Sequence, residues 1–407
     1  MRISKRILWL LLATACGEQL HPSGDDAAAR SDGGATADSG PHRDAGPPPP
    51  PPRACDGLPA AGTWEDITPA ELVATRPGPG DCVYGGDFVI DPNDGATIYL
   101  GSCNQGIWRS TDCGATWVHI NTGRNGAVLD TGRQWTFQID PRDPNVLYAN
   151  SGYGSMSNGL LKSTNGGVDW DIIYPNDDPA IAGVVQYGFV AGIQLAPGDP
   201  DHLLVSFHAQ CGPAADGTPH TQSCFAESFD AGAHFHIIDG DPSWAGGEGS
   251  RVYFVGDGQT LLFGSESNGL WRSTDGGAHW TDLHIAQSHS GGALYRASTG
   301  VYYMGGPNGV ARSTDGIAWN VVPESGTLIT GLTGNGTTMW ASRGFPWGPN
   351  QPTYYPFWTA TEADGLHWTN MTSTPMLTNG GSLHYDARRH ILYSSNEWEG
   401  LYRVVIQ

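Results

Sequence analysis

Residues 270–283 read LWRSTDGGAHWTDL. A serine, an aspartate, a histidine and a tryptophan fall within eight residues, which invites a catalytic reading. The same phrase recurs, however, as Ser110-T-D-C-G-A-T-Trp117, Ser163-T-N-G-G-V-D-Trp170 and Ser228-F-D-A-G-A-H-Phe235. Two altered copies follow: Ser313-T-D-G-I-A-Trp319, one residue short, and Thr361-E-A-D-G-L-H-Trp368, with its aspartate displaced by one. A phrase repeated at fixed intervals marks a repeat architecture rather than a single active site.

The flanks repeat too. An apolar strand, a loop and a second strand precede each copy: TIYLGS then GIWRS, TLLFGS then GLWRS, GVYYMGG then GVARS. A short segment beginning at the aromatic residue follows, as in WVHI, WDII, FHII, WTDL, WNVV and WTNM. A further strand such as FVID, FQID or IQLA opens each unit. Four short strands per unit with Gly-rich punctuation predict propeller blades. Near the N-terminus stands Trp64-Glu-Asp-Ile67, a last strand without its turn, and at the C-terminus stand HILYSS and EGLYRVV, strands that lack one. These two ends predict a seventh blade closed by three C-terminal strands and one N-terminal strand, which removes the open edge of the ring.

The repeated phrase resembles the Asp-box, S-x-D-x-G-x-x-W, of the sialidase-like, sortilin-like and xyloglucanase-like β-propellers. The resemblance implies an all-β, single seven-bladed propeller whose Asp-boxes are hairpin turns on the face opposite the ligand site. Ser273 and Asp275 would then bind turn backbone and Trp280 would pack between sheets, with no part in catalysis.

The N-terminus carries a different message. Arg2, Lys5 and Arg6 precede the apolar run ILWLLLATA, too short to span a bilayer. Residues 1–15 therefore read as a signal peptide. Ala13-Thr14-Ala15-Cys16 resembles a bacterial lipobox, which implies lipidation of Cys16 and an extracytoplasmic place in the cell envelope, at the outer membrane or cell surface. Residues 16–53 are polar and small and end in Pro47–Pro52, a composition that forms a tether rather than a core. Residues 54–407 are left for the propeller. A formal net charge of −21 excludes nucleic acid as a partner.

Setting Cys16 aside leaves six cysteines, an even count consistent with disulfides in an exported protein. In the resembled architecture the loops into first strands and those between second and third strands share the upper face. Cys82 and Cys103 both fall there, whereas Cys55 and Cys113 both fall below, so the pairs Cys82–Cys103 and Cys55–Cys113 are expected. Cys211 and Cys224 would pin the base of an upper insertion. No metal site or cofactor is indicated.

Function has to come from the upper loops. Their aromatic residues include Trp135, Tyr187, Trp347, Tyr355, Trp358 and Trp398, and rings with polar edges suit stacking on sugars. The insertion Phe345–Trp358 is expected to wall a groove. His208 and His289 join the substrate-binding set. A glycosidase needs an acid and a carboxylate about 5 to 9 Å apart, and Asp87, Glu248 and Glu266 are the carboxylates that could converge; Arg133 with a histidine would suit a lyase instead. The resemblance has gaps: the arginine triad and Arg-Ile-Pro motif of sialidases are missing, and xyloglucanases of this type set their cleft between two propellers. Two readings remain open. One is a lipid-anchored, monomeric propeller that binds, and with paired carboxylates cleaves, a glycan. The other is a non-catalytic envelope propeller gripping a protein or peptide.

Overall fold

A computed structural model describes residues 55, 57–74, 87–152, 159–173, 184–185, 190–208, 224–239, 251–256, 258–266, 268–289, 291–344, 357–371, 380–396 and 400–407. Among the described residues the strands form seven four-stranded antiparallel sheets, six of them built from consecutive strands. Blades 1 to 6 occupy residues 88–119, 137–172, 190–239, 251–282, 294–321 and 329–370. Blade 7 combines Gly380–Asp386, Ile391–Asn396 and Gly400–Val405 with the N-terminal strand Trp64–Asp66. Trp64 pairs with Val404, Glu65 with Arg403 and Asp66 with Tyr402, so the two ends close the ring as the repeat pattern demands.

The core lies in the seams between blades. Tyr99 and Ile107 of blade 1 pack with Phe137, Leu147, Leu161 and Trp170 of blade 2; Leu204 and Phe225 of blade 3 pack with Val252, Leu261 and Phe263 of blade 4. Alternate side chains on each strand thus face different neighbours, which buries both faces of every sheet. Trp358, expected on the upper insertion, is corrected here. It lies in the strand Phe357–Thr361 and is buried against Gly326, in the seam between blades 5 and 6. Residues 345–356 of that insertion lie outside the described residues.

The recurring turns are carpentry. In each of five, a buried serine Oγ accepts a glycine N–H: Ser110 from Gly114 (2.7 Å), Ser163 from Gly167 (2.9 Å), Ser228 from Gly232 (2.9 Å), Ser273 from Gly277 (2.8 Å) and Ser313 from Gly316 (2.8 Å). Asp275 Oδ1 accepts the Ser273 hydroxyl and the His279 N–H. Trp280 donates its Nε1–H to the Gly277 carbonyl at 2.9 Å and stands edge-on to Phe225 of blade 3 and Phe263 of its own blade. The fourth strand begins one residue later than the sequence pattern suggests, as in Thr281–Asp282 and Asp171–Ile172, because the aromatic residue belongs to the turn. Gly167 adopts φ 88° within 2.5 Å of Ile120 for any added Cβ, so this turn needs glycine. Ser163→Ala leaves the Gly167 N–H buried without an acceptor. It is expected to cost about 1 to 2 kcal/mol in urea unfolding; a change indistinguishable from zero would show that the hydroxyl does not hold the turn.

A second repeated device joins blades. Lys162 lies over its cross-strand partner Tyr148 and donates to the Ala231 carbonyl in the turn of blade 3. Arg403, buried opposite Tyr393, donates to the Cys113 carbonyl in the turn of blade 1 and pairs with Glu65 at 2.8 Å. Blade 3 inverts the charge: Glu227 holds this position and accepts from His202 (2.7 Å) and His236 (2.8 Å). Cys55 and Cys113 form a disulfide across the closure, as expected. Cys103 and Cys224 are also disulfide-bonded; their expected partners, Cys82 and Cys211, lie outside the described residues.

Candidate functional site

Because each blade is an antiparallel meander, loops entering first strands and loops joining second to third strands share one rim. The serine-containing turns fall on the other. On the first rim, four residues from separate segments form a continuous chain of contacts. Trp135, in the loop entering blade 2, stands 5.5 Å from the His208 ring, centroid to centroid. His208 follows the second strand of blade 3, Asp199–Phe207. Its Nε2 is 2.7 Å from Nε2 of His289, in the loop from blade 4 to blade 5. Nδ1 of His289 is 3.1 Å from Oε2 of Glu266, just past the second strand of blade 4, Thr260–Ser265.

Two facing imidazole nitrogens at this distance share one proton: one ring donates and the other accepts. His208 is buried, His289 is 23% exposed at its side chain and Glu266 is 61% exposed. The carboxylate thus lies at the solvent edge and the indole at the other end, with two polarisable rings between them. Such a strip offers a flat face together with hydrogen-bond donors and acceptors.

Asp87 belongs to a different set. Its carboxylate accepts the Ser382 hydroxyl of blade 7 (2.7 Å), the Phe88 N–H of blade 1 (3.1 Å) and the Phe137 N–H of blade 2 (3.4 Å), tying three innermost strands together. Burial lowers the pKa of nearby His384 below the ordinary histidine range, against the opposing pull of the Asp87 charge. Arg133 is held by its backbone, pairing with Gly152 in both directions. Glu248, Tyr187, Trp347, Tyr355 and Trp398 lie outside the described residues.

The sequence reading passed over one residue of this part of the rim. Arg251 opens the innermost strand of blade 4, Arg251–Val255, and its side chain lies against Gly192 on the innermost strand of blade 3. The signal was available as the last residue of the loop AGGEGSR, but nothing in that string says where the guanidinium goes. Among the described residues no group of three or more His, Cys, Asp or Glu is arranged to hold a metal ion. No helix among them is long and apolar enough to cross a membrane.

Fold and site together define a seven-bladed β-propeller with a mixed aromatic, imidazole and carboxylate rim. No family model matches the chain. It is 28% identical over 250 residues to xyloglucanase Xgh74A of Acetivibrio thermocellus, an alignment covering 54% of this chain and 27% of that protein. The chain thus spans about a quarter of the length of this curated relative. Among solved structures, the GH74 enzyme of Niastella koreensis superposes with a TM-score of 0.56 at 16% identity, covering 84% of this chain and 53% of that one. YCF48 bound to D1 peptide superposes with a TM-score of 0.55 at 14% identity, covering 86% of this chain and 99% of that one. The structural matches share the propeller fold.

Proposed function

We propose that this protein is a glycan-binding propeller, tethered outside the cytoplasm, whose site is the rim strip Trp135–His208–His289–Glu266. The observation that carries the reading is that strip itself: a ring face, two histidines and a solvent-edge carboxylate in unbroken contact across blades 2 to 5. Sequence similarity to a xyloglucanase supports a glycan over other ligands. The turns are read as Asp-boxes, residues 1–15 as a signal peptide, Cys16 as the lipidated residue and residues 16–53 as the tether of a monomeric 54–407 body. Glu266 is the carboxylate placed to act on a bound glycosidic bond, with Glu248 as the partner that a two-carboxylate mechanism needs. Asp87 is assigned to holding the funnel together.

The test is a panel of neutral and acidic oligosaccharides, xyloglucan fragments included, with titration calorimetry and product analysis. Trp135→Ala is expected to weaken glycan binding about 10-fold, the loss of roughly 1.4 kcal/mol of ring stacking, and Glu266→Gln to leave binding in place while removing any turnover. A wild-type protein that binds no glycan but captures an extended peptide would transfer the site to the competing reading, a non-catalytic propeller gripping a protein or peptide.

A further inference from the structure

Arg251 differs from the other inward arginines in where it stands. Arg272 and Arg312, whose Nε atoms are likewise buried without a partner, lie on third strands, whereas Arg251 opens the innermost strand of blade 4 at the rim. Arg251 Nε is buried and has no hydrogen-bond partner among the described residues. Arginine keeps its charge throughout the ordinary pH range, so a buried guanidinium N–H left without an acceptor costs free energy that some other interaction must repay.

A second orphan lies beside it. Ser206 is fully buried on the second strand of blade 3, and its Oγ likewise has no partner. Both groups converge on Gly192: a Cβ there would lie 2.6 Å from Ser206 Oγ and 3.6 Å from Arg251 Nε. Any larger residue at 192 would therefore push into the serine and crowd the arginine. Two residues beyond Ser206 the strand delivers His208. The loop that carries His289 returns over Arg251, where a Cβ on Gly291 would come within 3.0 Å of Arg251 Cβ. The loop is held down by the Tyr253 hydroxyl, which donates to the Gly292 carbonyl. Arg251 therefore packs against the loop that carries His289 and against the innermost strand of blade 3, the blade that carries His208.

We propose that Arg251 is an anion-recognising residue and that the glycan bound here carries a carboxylate, as a uronic acid unit does. The proposal rests on the glycan reading of the same rim and narrows it. A guanidinium N–H is matched to a carboxylate oxygen in geometry and charge. The chain's net charge of −21 opposes a polyanion, so the favoured ligand is a largely neutral glycan bearing isolated uronate units rather than a continuous polyuronate. No covalent step is involved.

The mature protein is titrated with a glucuronate-bearing xylo-oligosaccharide, the same oligosaccharide methyl-esterified on its carboxylate, and a neutral xyloglucan fragment of similar length. The free uronate is expected to bind at least about 10-fold more tightly than its ester, since the ester carries no charge to pair with the guanidinium. Arg251→Gln should abolish that difference while leaving the ester's affinity within about twofold, and Arg251→Lys should restore part of it. The wild-type comparison of acid with ester requires no variant to fold. Equal affinity for acid and ester, or a preference that survives Arg251→Gln, overturns the proposal. Binding confined to neutral glycans overturns it while leaving the glycan reading standing, and no glycan binding at all removes both.

Discussion

Replacing Cys55 and Cys113 together by serine is expected to lower the unfolding free energy by about 4 kcal/mol. The bond closes a segment with a sequence separation of 58, and chain-entropy scaling for a loop of that size gives about 4 kcal/mol at 25 °C. Its position makes the loss mechanical as well. The N-terminal strand contributes only Trp64–Asp66 to blade 7, three residues of pairing against the last strand. Beyond that ladder it is held by Glu65 on Arg403, by backbone bonds at Gly62 and Ile67, and by the disulfide from its leading segment to the blade 1 turn. Without the disulfide the strand can leave, and the last strand then presents an unpaired edge. The measurement is equilibrium denaturation of the double variant against the wild type, with and without reductant. A loss under 1 kcal/mol, or a wild type insensitive to reductant, would show that Arg403 and the strand ladder close the ring unaided.

Glu362→Ala is expected to destabilise by about 1.5 to 3 kcal/mol, the range for losing hydrogen bonds to a charged acceptor. In the sixth copy of the repeated phrase this glutamate follows Thr361, where the other copies begin with serine. The structure turns it inward, 1% exposed, to accept the Ser298 N–H and hydroxyl (2.7 Å each), the Gly336 N–H (2.7 Å) and the Tyr295 hydroxyl. It thereby replaces a turn-local contact with a tie between blades 5 and 6. Burial by itself would raise the carboxyl pKa, but these hydrogen bonds outweigh it and hold the value below the ordinary glutamate range. The folded pKa is depressed, so the stabilisation is complete above the unfolded value near 4.5 and disappears as pH falls through the folded one. Below about pH 4.5 the wild type should therefore lose stability more steeply than Glu362→Gln, whose amide leaves at least one donor facing an N–H at every pH. Parallel acid limbs for the two proteins would refute the assignment.

These two positions also mark how far the sequence can be read. The closing disulfide follows from knowing on which face each strand begins, because antiparallel order fixes direction. The Glu362 tie does not follow from its string. TEADG reads as a damaged copy of the turn, and only the approach of Tyr295 and Ser298 from another blade gives the carboxylate its work. Trp358 fails in the opposite sense. Its neighbours in sequence suggest an exposed loop, yet the strand starts at Phe357 and buries the indole in a seam.

The candidate site divides the same way. Trp135, His208, His289 and Glu266 were each legible as residues of one rim. That His208 would meet His289 across 81 residues of chain, and Asp87 instead bind Ser382, was not. Arg251 was legible only as the last residue of an upper loop, and nothing in that string showed that its Nε would lack a partner.

The amino-acid sequence by itself determined the ring, its seven blades, its closure and the side on which each loop emerges. Those features rest on turn chemistry and strand direction, which are local and recur in every repeat. Tertiary structure alone decided which rim residues touch. Lateral reach around the ring is set by the packing of neighbouring sheets, and the sequence period carries no record of it.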